Sequence, residues 1–143
     1  MIATKKAEFG DFQTPPGLAR EIAEFLRATG ETADLIVEPT CGQGSFVSAA
    51  ITAFPMAKAV YGFDINPAYV RDAEKALGRA EARKTHLECR NFFQLDWDEF
   101  FSGKNGRVLV IGNPPWITNS ALGSLGSSNL PEKTNFQGYN GFA

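Results

Sequence analysis

The chain has 143 residues, 43% of them hydrophobic and 12% aromatic, which is typical of one globular domain that buries roughly two-thirds of its unfolded surface. Its formal net charge of -2 leaves no excess of basic side chains to neutralise phosphates, so nucleic-acid affinity is expected to be local or to lie outside this chain. There is no apolar run near the roughly 20 residues of a membrane span and no signal-peptide core after Met1, which predicts a cytoplasmic protein without a membrane partner.

The first predicted helix covers residues 15 to 29. Thr14 stands at its capping position, and Pro15 and Pro16 occupy its first turn, where proline is tolerated. Apolar residues then recur at helical spacing until Gly30, which is a typical stop signal. This order of signals predicts an amphipathic helix.

Strands and helices then alternate along the chain. An apolar strand at residues 35–37 is followed by a glycine turn at 38–44 and a helix from Phe46. A second strand at 59–63 ends at Asp64, and Asn66 then caps a helix whose apolar face reaches Ala80. Further strands are predicted at 86–90 and 108–111. The alternation predicts an α/β fold with a doubly wound parallel sheet.

The composition changes after Trp116. Gly, Ser and Asn supply twelve of the last 27 residues, and helical periodicity disappears. We expect residues 117–143 to form a long loop that is partly mobile.

The glycine turn has the features of a nucleotide-type cofactor site. Gly42 and Gly44 follow a buried strand and open a helix, so their amides can approach a ligand near a helix N-terminus. The dinucleotide fingerprint needs a third glycine where Val47 stands, which favours S-adenosylmethionine over a nicotinamide cofactor. Asp64 is placed to accept hydrogen bonds from both ribose hydroxyls, although it is also compatible with a solvated turn aspartate.

A second motif follows the fourth predicted strand, and consists of Asn113, Pro114, Pro115 and Trp116. It lies at the sheet edge where such folds place active sites, although a rigid proline turn is the simpler interpretation. The two cysteines, Cys41 and Cys89, show no metal-ligand spacing, so neither a metal site nor a disulfide framework is expected.

These motifs together resemble those of the adenine-N6 amino-methyltransferases of the bacterial DNA modification type. The matching segments, in the family's order, are Phe12 to Pro16, Glu38 to Phe46, Asp64, Asn91 to Phe93, and Asn113 to Trp116. The resemblance covers about residues 9 to 135, and it implies a Rossmann-like class I methyltransferase fold, truncated here after about the fourth strand. Residues 1–143 would then form part of an S-adenosylmethionine-binding catalytic domain.

The resemblance also implies roles for single residues. Thr14 would contact the methionine end of the cofactor, Asp64 the ribose and Asn91 the adenine amino group, with Phe92 against the adenine ring. The family often has aspartate where Asn91 stands, so its amide oxygen must point toward the cofactor. The implied cofactor-binding residues are Thr14, Glu38, Pro39, Thr40, Cys41, Gly42, Gly44, Phe46, Asp64, Ile65, Asn91, Phe92 and Asn113.

The catalytic residues implied are Asn113, Pro114, Pro115 and Trp116. An exocyclic amine is a poor nucleophile until acceptors hold its hydrogens, and the Asn113 side-chain oxygen and the Pro114 carbonyl can serve as those acceptors. Trp116, where the family favours tyrosine or phenylalanine, would stack on a base turned out of the helix. No general base and no metal are required.

Two other functions remain open. Loops with Asn-Pro-Pro and an aromatic residue also serve enzymes that methylate a glutamine amide or a guanine amino group, although Thr14 to Pro16 ahead of the glycine turn favours the DNA class. Alternatively, the chain is a non-catalytic cofactor-binding fragment that needs a partner. We expect DNA to be bound mainly by a region outside this chain, and the strand at 108–111 to need self-association or a completing subunit.

Overall fold

The computed structural model of the protein describes residues 13–114. The helices are α1 (Pro16–Ala28), α2 (Ser45–Ala53), α3 (Pro67–Ala76), α4 (Arg79–Ala82) and α5 (Trp97–Phe101), and the strands are β1 (Leu35–Glu38), β2 (Ala59–Asp64), β3 (Thr85–Cys89) and β4 (Val108–Val110). A short 3-10 helix covers Phe92–Gln94. The alternation expected from the sequence is confirmed, while the predicted loop at 117–143 lies outside the described residues.

Helix α1 begins one residue later than predicted. Pro15 is its capping residue, with φ -57° and ψ 136°, and no side chain caps the helix. The prediction that Thr14 caps it was therefore wrong. The ring of Pro16 disfavours helical backbone angles at the preceding residue, Pro15, so the helix begins at Pro16.

The helix after β2 is divided in two. Asn66 caps α3 as predicted, because its side-chain oxygen accepts a hydrogen bond of 3.0 Å from the Ala68 amide. The expected continuous face to Ala80 was wrong, because Leu77 and Gly78 are extended. The Gly78 amide donates to Glu81 Oε2 at 2.7 Å, which begins a separate turn, α4.

The four strands form one parallel sheet in the order β3-β2-β1-β4. The chain first adds strands on one side of β1 and then crosses to the other side for β4. The strand order therefore reverses between β1 and β4, and the crevice outside the carboxyl ends at such a point is where open α/β sheets bind ligands.

Helices cover both faces of the sheet. Ile36 and Val60 belong to the core beneath α1 and α2. On the opposite face, Phe63 is buried and lies edge-on to two rings of α5, with centroids 5.8 Å from Trp97 and 5.4 Å from Phe100. The doubly wound arrangement is confirmed. None of the helices within residues 13–114 has the length and apolar character that crossing a membrane requires.

Candidate functional site at the strand ends

The polar residues singled out in the sequence converge where the strand order reverses. Glu38 ends β1, Asp64 ends β2, and Asn91 and Asn113 follow β3 and β4. Gly112 lies against the end of β1, because a Cβ atom at that position would be 3.3 Å from Glu38 Cγ. The parallel sheet thus brings four separate sequence segments to one edge.

The glycine turn requires its two glycines. Gly42 and Gly44 have φ angles of 51° and 84°, which side chains rarely tolerate. A Cβ atom on Gly44 would lie 2.9 Å from the Ala73 side chain, so a larger residue would also push α2 away from α3. The Cys41 amide, which donates to the Phe63 carbonyl at 2.7 Å, fastens the turn to β2.

Asp64 holds this turn in place. Its Oδ2 accepts a hydrogen bond of 2.8 Å from the Gly42 amide, and its Oδ1 accepts one of 2.8 Å from the Asn66 amide. The carboxylate therefore joins the glycine turn, β2 and the start of α3, which is more than a solvated turn aspartate does. Each carboxylate oxygen can accept more than one hydrogen bond, and the role of Asp64 in binding ribose hydroxyls stays a prediction.

Glu38 is buried beneath the turn, with 3% of its surface exposed. One carboxyl oxygen accepts a hydrogen bond from the Val47 amide at the start of α2, while Oε2 has no hydrogen-bond partner. Burial raises the pKa of Glu38 well above its usual range, and the nearby charge of Asp64 raises the pKa further, against the opposing effect of the Val47 bond. A neutral carboxylic acid is the form that this environment favours.

Gln13 is a site residue that the sequence analysis did not assign. Its Oε1 accepts a hydrogen bond of 3.0 Å from the Gln43 amide, and a Cβ atom on Gly42 would come within 2.3 Å of that oxygen. The segment before α1 therefore reaches the glycine turn, as the motif containing Thr14 implies. The position of Gln13 beside Thr14 in that motif was the signal available.

Asn91 caps the 3-10 helix. Its Oδ1 accepts a hydrogen bond of 2.9 Å from the Phe93 amide, which satisfies a donor at the helix start. Phe92 packs against Phe93 and Trp97, with ring centroids 5.1 and 5.5 Å away. Recognition of a cofactor amino group by Asn91 stays a prediction, and it would need the second lone pair of the same oxygen or a turn of the side chain.

The remaining predicted cofactor residues support the turn or line its edge. Cys41 and Phe46 are buried, and burial raises the pKa of the Cys41 thiol, which makes it an inert packing group. Pro39, Thr40 and Ile65 are half-buried at the strand ends.

The predicted catalytic segment is described only in part. Asn113 is half-buried and Pro114 is exposed, and both follow Gly112, which contacts Glu38 and Pro39. Pro115 and Trp116 lie outside the described residues. Contact between a base and Trp116 therefore stays a prediction.

A pocket of about 320 Å³ lies on the helical side of the glycine turn. It is lined by Gln43 and Gly44, by Arg20 of α1 and by polar residues of α2, but by neither Asp64 nor Asn113. We place the functional site at the strand ends instead, because the polar groups suited to a nucleoside converge there.

Comparison with known proteins gives sequence relatives and a structural neighbour, while no family model matches the chain. Type II methyltransferase M.NspV of Nostoc sp. (strain ATCC 29411 / PCC 7524) is 44% identical over 98% of this chain, and M.CvrRI, a Type II methyltransferase of Paramecium bursaria Chlorella virus XZ-6E, is 32% identical over 80%. The alignments span only 29% and 26% of these two relatives.

The comparison with solved structures concerns the fold alone. A crystal structure of a Pyrococcus horikoshii protein described as an RNA methyltransferase matches 80% of this chain and 57% of that chain, with a TM-score of 0.59 and 21% identity. The likeness confirms the Rossmann-like methyltransferase fold. The sequence relatives, which are named methyltransferases, support S-adenosylmethionine as the cofactor.

Proposed function

We propose that this chain, which is similar to the Type II methyltransferase M.NspV over 98% of its length, binds S-adenosylmethionine at its strand ends and takes part in methylating the exocyclic N6 amine of adenine in DNA. The observation that carries this proposal is the convergence of the glycine turn, Asp64 and the Asn113 segment where the strand order reverses.

The residues at the strand ends fit this cofactor. The positive φ angles of Gly42 and Gly44 let the chain turn sharply between β1 and α2 at the strand ends. Gln13 and Ala73 pack in the space that side chains at these two positions would occupy. Asp64 is a fixed acceptor for ribose hydroxyls, while Asn91 and Phe92 stand at the end of the neighbouring strand for the adenine ring. Thr14, next to Gln13 on the turn, would meet the methionine end.

The Asn113 segment would activate the acceptor. S-adenosylmethionine supplies an electrophilic methyl group bound to a positively charged sulfur. The Asn113 side-chain oxygen and the Pro114 carbonyl would accept the two hydrogens of the adenine amine, which directs the nitrogen lone pair out of the ring and toward the methyl group. Trp116 would stack on the extruded base and fix its plane.

We propose that DNA is recognised mainly by protein outside this chain. The chain spans less than a third of the length of its Type II relatives, and its net charge of -2 offers little attraction for phosphates. Within residues 13–114, β4 is an edge strand whose Val110 is 59% exposed. We propose that further protein, from another copy or a completing subunit, pairs with this edge.

Two measurements test the proposal. Calorimetry should detect S-adenosylmethionine binding to the chain, and absence of binding would contradict the cofactor site. The acceptor is identified by mass spectrometry after incubation with labelled cofactor and duplex DNA, structured RNA or a glutamine-containing peptide. N6-methyladenine is the expected product, and methylated guanine or glutamine would replace the proposed acceptor.

The need for further protein is tested separately. Light scattering alongside the methyl-transfer assay should show either self-association or inactivity on DNA until a completing partner is added. A monodisperse monomer that methylates adenine without any addition would contradict this part of the proposal.

A further inference from the structure

Glu38 is the carboxyl side chain that the fold buries within residues 13–114. It is the last residue of the central strand β1 and lies beneath the glycine turn. Its carboxyl group accepts a hydrogen bond from the Val47 amide of α2. Its Oε2 is buried without a hydrogen-bond partner. Burying an ionised carboxylate whose oxygen has no hydrogen-bond partner costs free energy. A proton on Oε2, or a cation beside it, would lower this cost.

Within residues 13–114, the neighbours of Glu38 do not supply a positive charge. Asp64, from the end of β2, is acidic and disfavours ionisation of Glu38. Cys41, from the turn, is a buried thiol whose pKa is itself raised by burial. The segment after β4 contributes the uncharged Gly112, whose missing side chain leaves room for Glu38. Among these neighbours, a proton on Glu38 would lower the free-energy cost of burying its carboxyl group beside Asp64.

We infer that Glu38 recognises the positive charge of the cofactor by releasing its proton as the cofactor binds. This inference rests on the proposed function, because S-adenosylmethionine carries an ammonium and a sulfonium group and would bring both to the strand ends. The proton leaves Oε2 for the solvent, and the remaining carboxylate then faces a cation in a site of low dielectric. Glu38 is in this account a positioning residue that selects a cationic ligand.

The signature of this role is a coupling between binding and pH. Below the pKa of Glu38 in the free chain, binding must expel a proton, so the affinity for S-adenosylmethionine should rise with pH by up to about tenfold per pH unit. The rise should end where Glu38 is already ionised in the free chain. A side chain that only supports the turn would produce neither a proton release nor this slope.

Calorimetry of the whole chain measures the proton release directly. S-adenosylmethionine is titrated at one pH into the chain in phosphate and in Tris, whose ionisation enthalpies differ, and the change in observed heat gives the number of protons released. We expect up to about one proton per cofactor bound. Glu38→Gln keeps the size and resembles the neutral acid, so it should bind without this release and with an affinity lower on the order of tenfold.

The controls separate this inference from the proposed function. Glu24→Gln, which changes an exposed carboxyl on α1, should release the same number of protons as the unaltered chain. Adenosine, which has no positive charge, should bind without proton release. Equal proton release by the unaltered chain and Glu38→Gln, or by adenosine and S-adenosylmethionine, would overturn the inference. Absence of any cofactor binding would instead contradict the proposed function, and the inference with it.

Discussion

Replacing Asp64 should loosen the glycine turn before any ligand is present. The side chain accepts two backbone hydrogen bonds of 2.8 Å, from the Gly42 and Asn66 amides. Hydrogen bonds to a charged group contribute about 1.5 to 3 kcal/mol each. Because both bonds are only partly buried, we take the lower value and expect Asp64→Ala to cost about 3 kcal/mol of unfolding free energy. Asp64→Asn keeps one oxygen acceptor and should cost about half of that.

Urea unfolding followed by circular dichroism measures this loss. Asp72→Ala is a matched control, because Asp72 is an exposed carboxylate on α3 in a surface ion pair with Lys75, and such pairs contribute about 0 to 1 kcal/mol. The same proteins are then titrated with S-adenosylmethionine. If Asp64→Ala unfolds at the urea concentration of Asp72→Ala, the two backbone bonds do not stabilise the turn and the reasoning is refuted.

Four further predictions concern the turn, the buried acid and the catalytic segment. Gly44→Ala should cost about 2 to 4 kcal/mol, from the left-handed backbone and the 2.9 Å approach to Ala73; an unchanged thermal midpoint would contradict this. Folding raises the pKa of Glu38, so its contribution to stability is complete below the unfolded pKa of about 4.3 and is lost as pH rises through the folded pKa. The urea midpoint of the unaltered chain should therefore fall relative to that of Glu38→Gln over this range, and parallel pH profiles would exclude the linkage. In an active assembly, Asn113→Ala should abolish methyl transfer with little change in cofactor affinity, because the amide acts in the transition state; equal loss of binding in calorimetry would indicate a collapsed segment. Trp116→Ala should weaken binding of an extruded base by roughly 1 to 3 kcal/mol, and 2-aminopurine fluorescence that ignores the change would argue against stacking.

The order of strands and helices could be predicted because its signals are local. The glycine turn stands between an apolar strand and a helix, and Asn66 stands directly before its helix. Such neighbours in sequence are neighbours in space, so composition and spacing are enough. The parallel sheet followed from the same alternation, and it brings the ends of separate strands to one edge.

Contacts between distant segments could not be predicted in the same way. The bond from the Gly42 amide to Asp64 and the bond from the Gln43 amide to Gln13 depend on how the turn folds back. The raised pKa of Glu38 depends on burial, which the sequence of a strand-end glutamate does not reveal.

Local hydrogen bonds set where elements begin. The oxygen of Asn91 accepts a hydrogen bond from the Phe93 amide at the start of the 3-10 helix, and its expected role toward the cofactor stays a prediction. The extended backbone at Leu77 and Gly78 interrupts an apolar pattern that still reads as helical. A periodic pattern indicates which face is buried, and the ends of an element depend on where its first amides find acceptors.

The central claim is that S-adenosylmethionine binds at the carboxyl ends of the strands, and backbone amide NMR of the labelled chain tests it most directly. Titration with the cofactor should shift the amides of Asp64, Ile65 and Asn91, at the ends of β2 and β3. It should leave Thr52 and Ala76, which line the pocket on the helical side, close to their starting positions. Shifts confined to Thr52, Ala76 and their neighbours in that pocket, with Asp64 and Asn91 unmoved, would contradict the account.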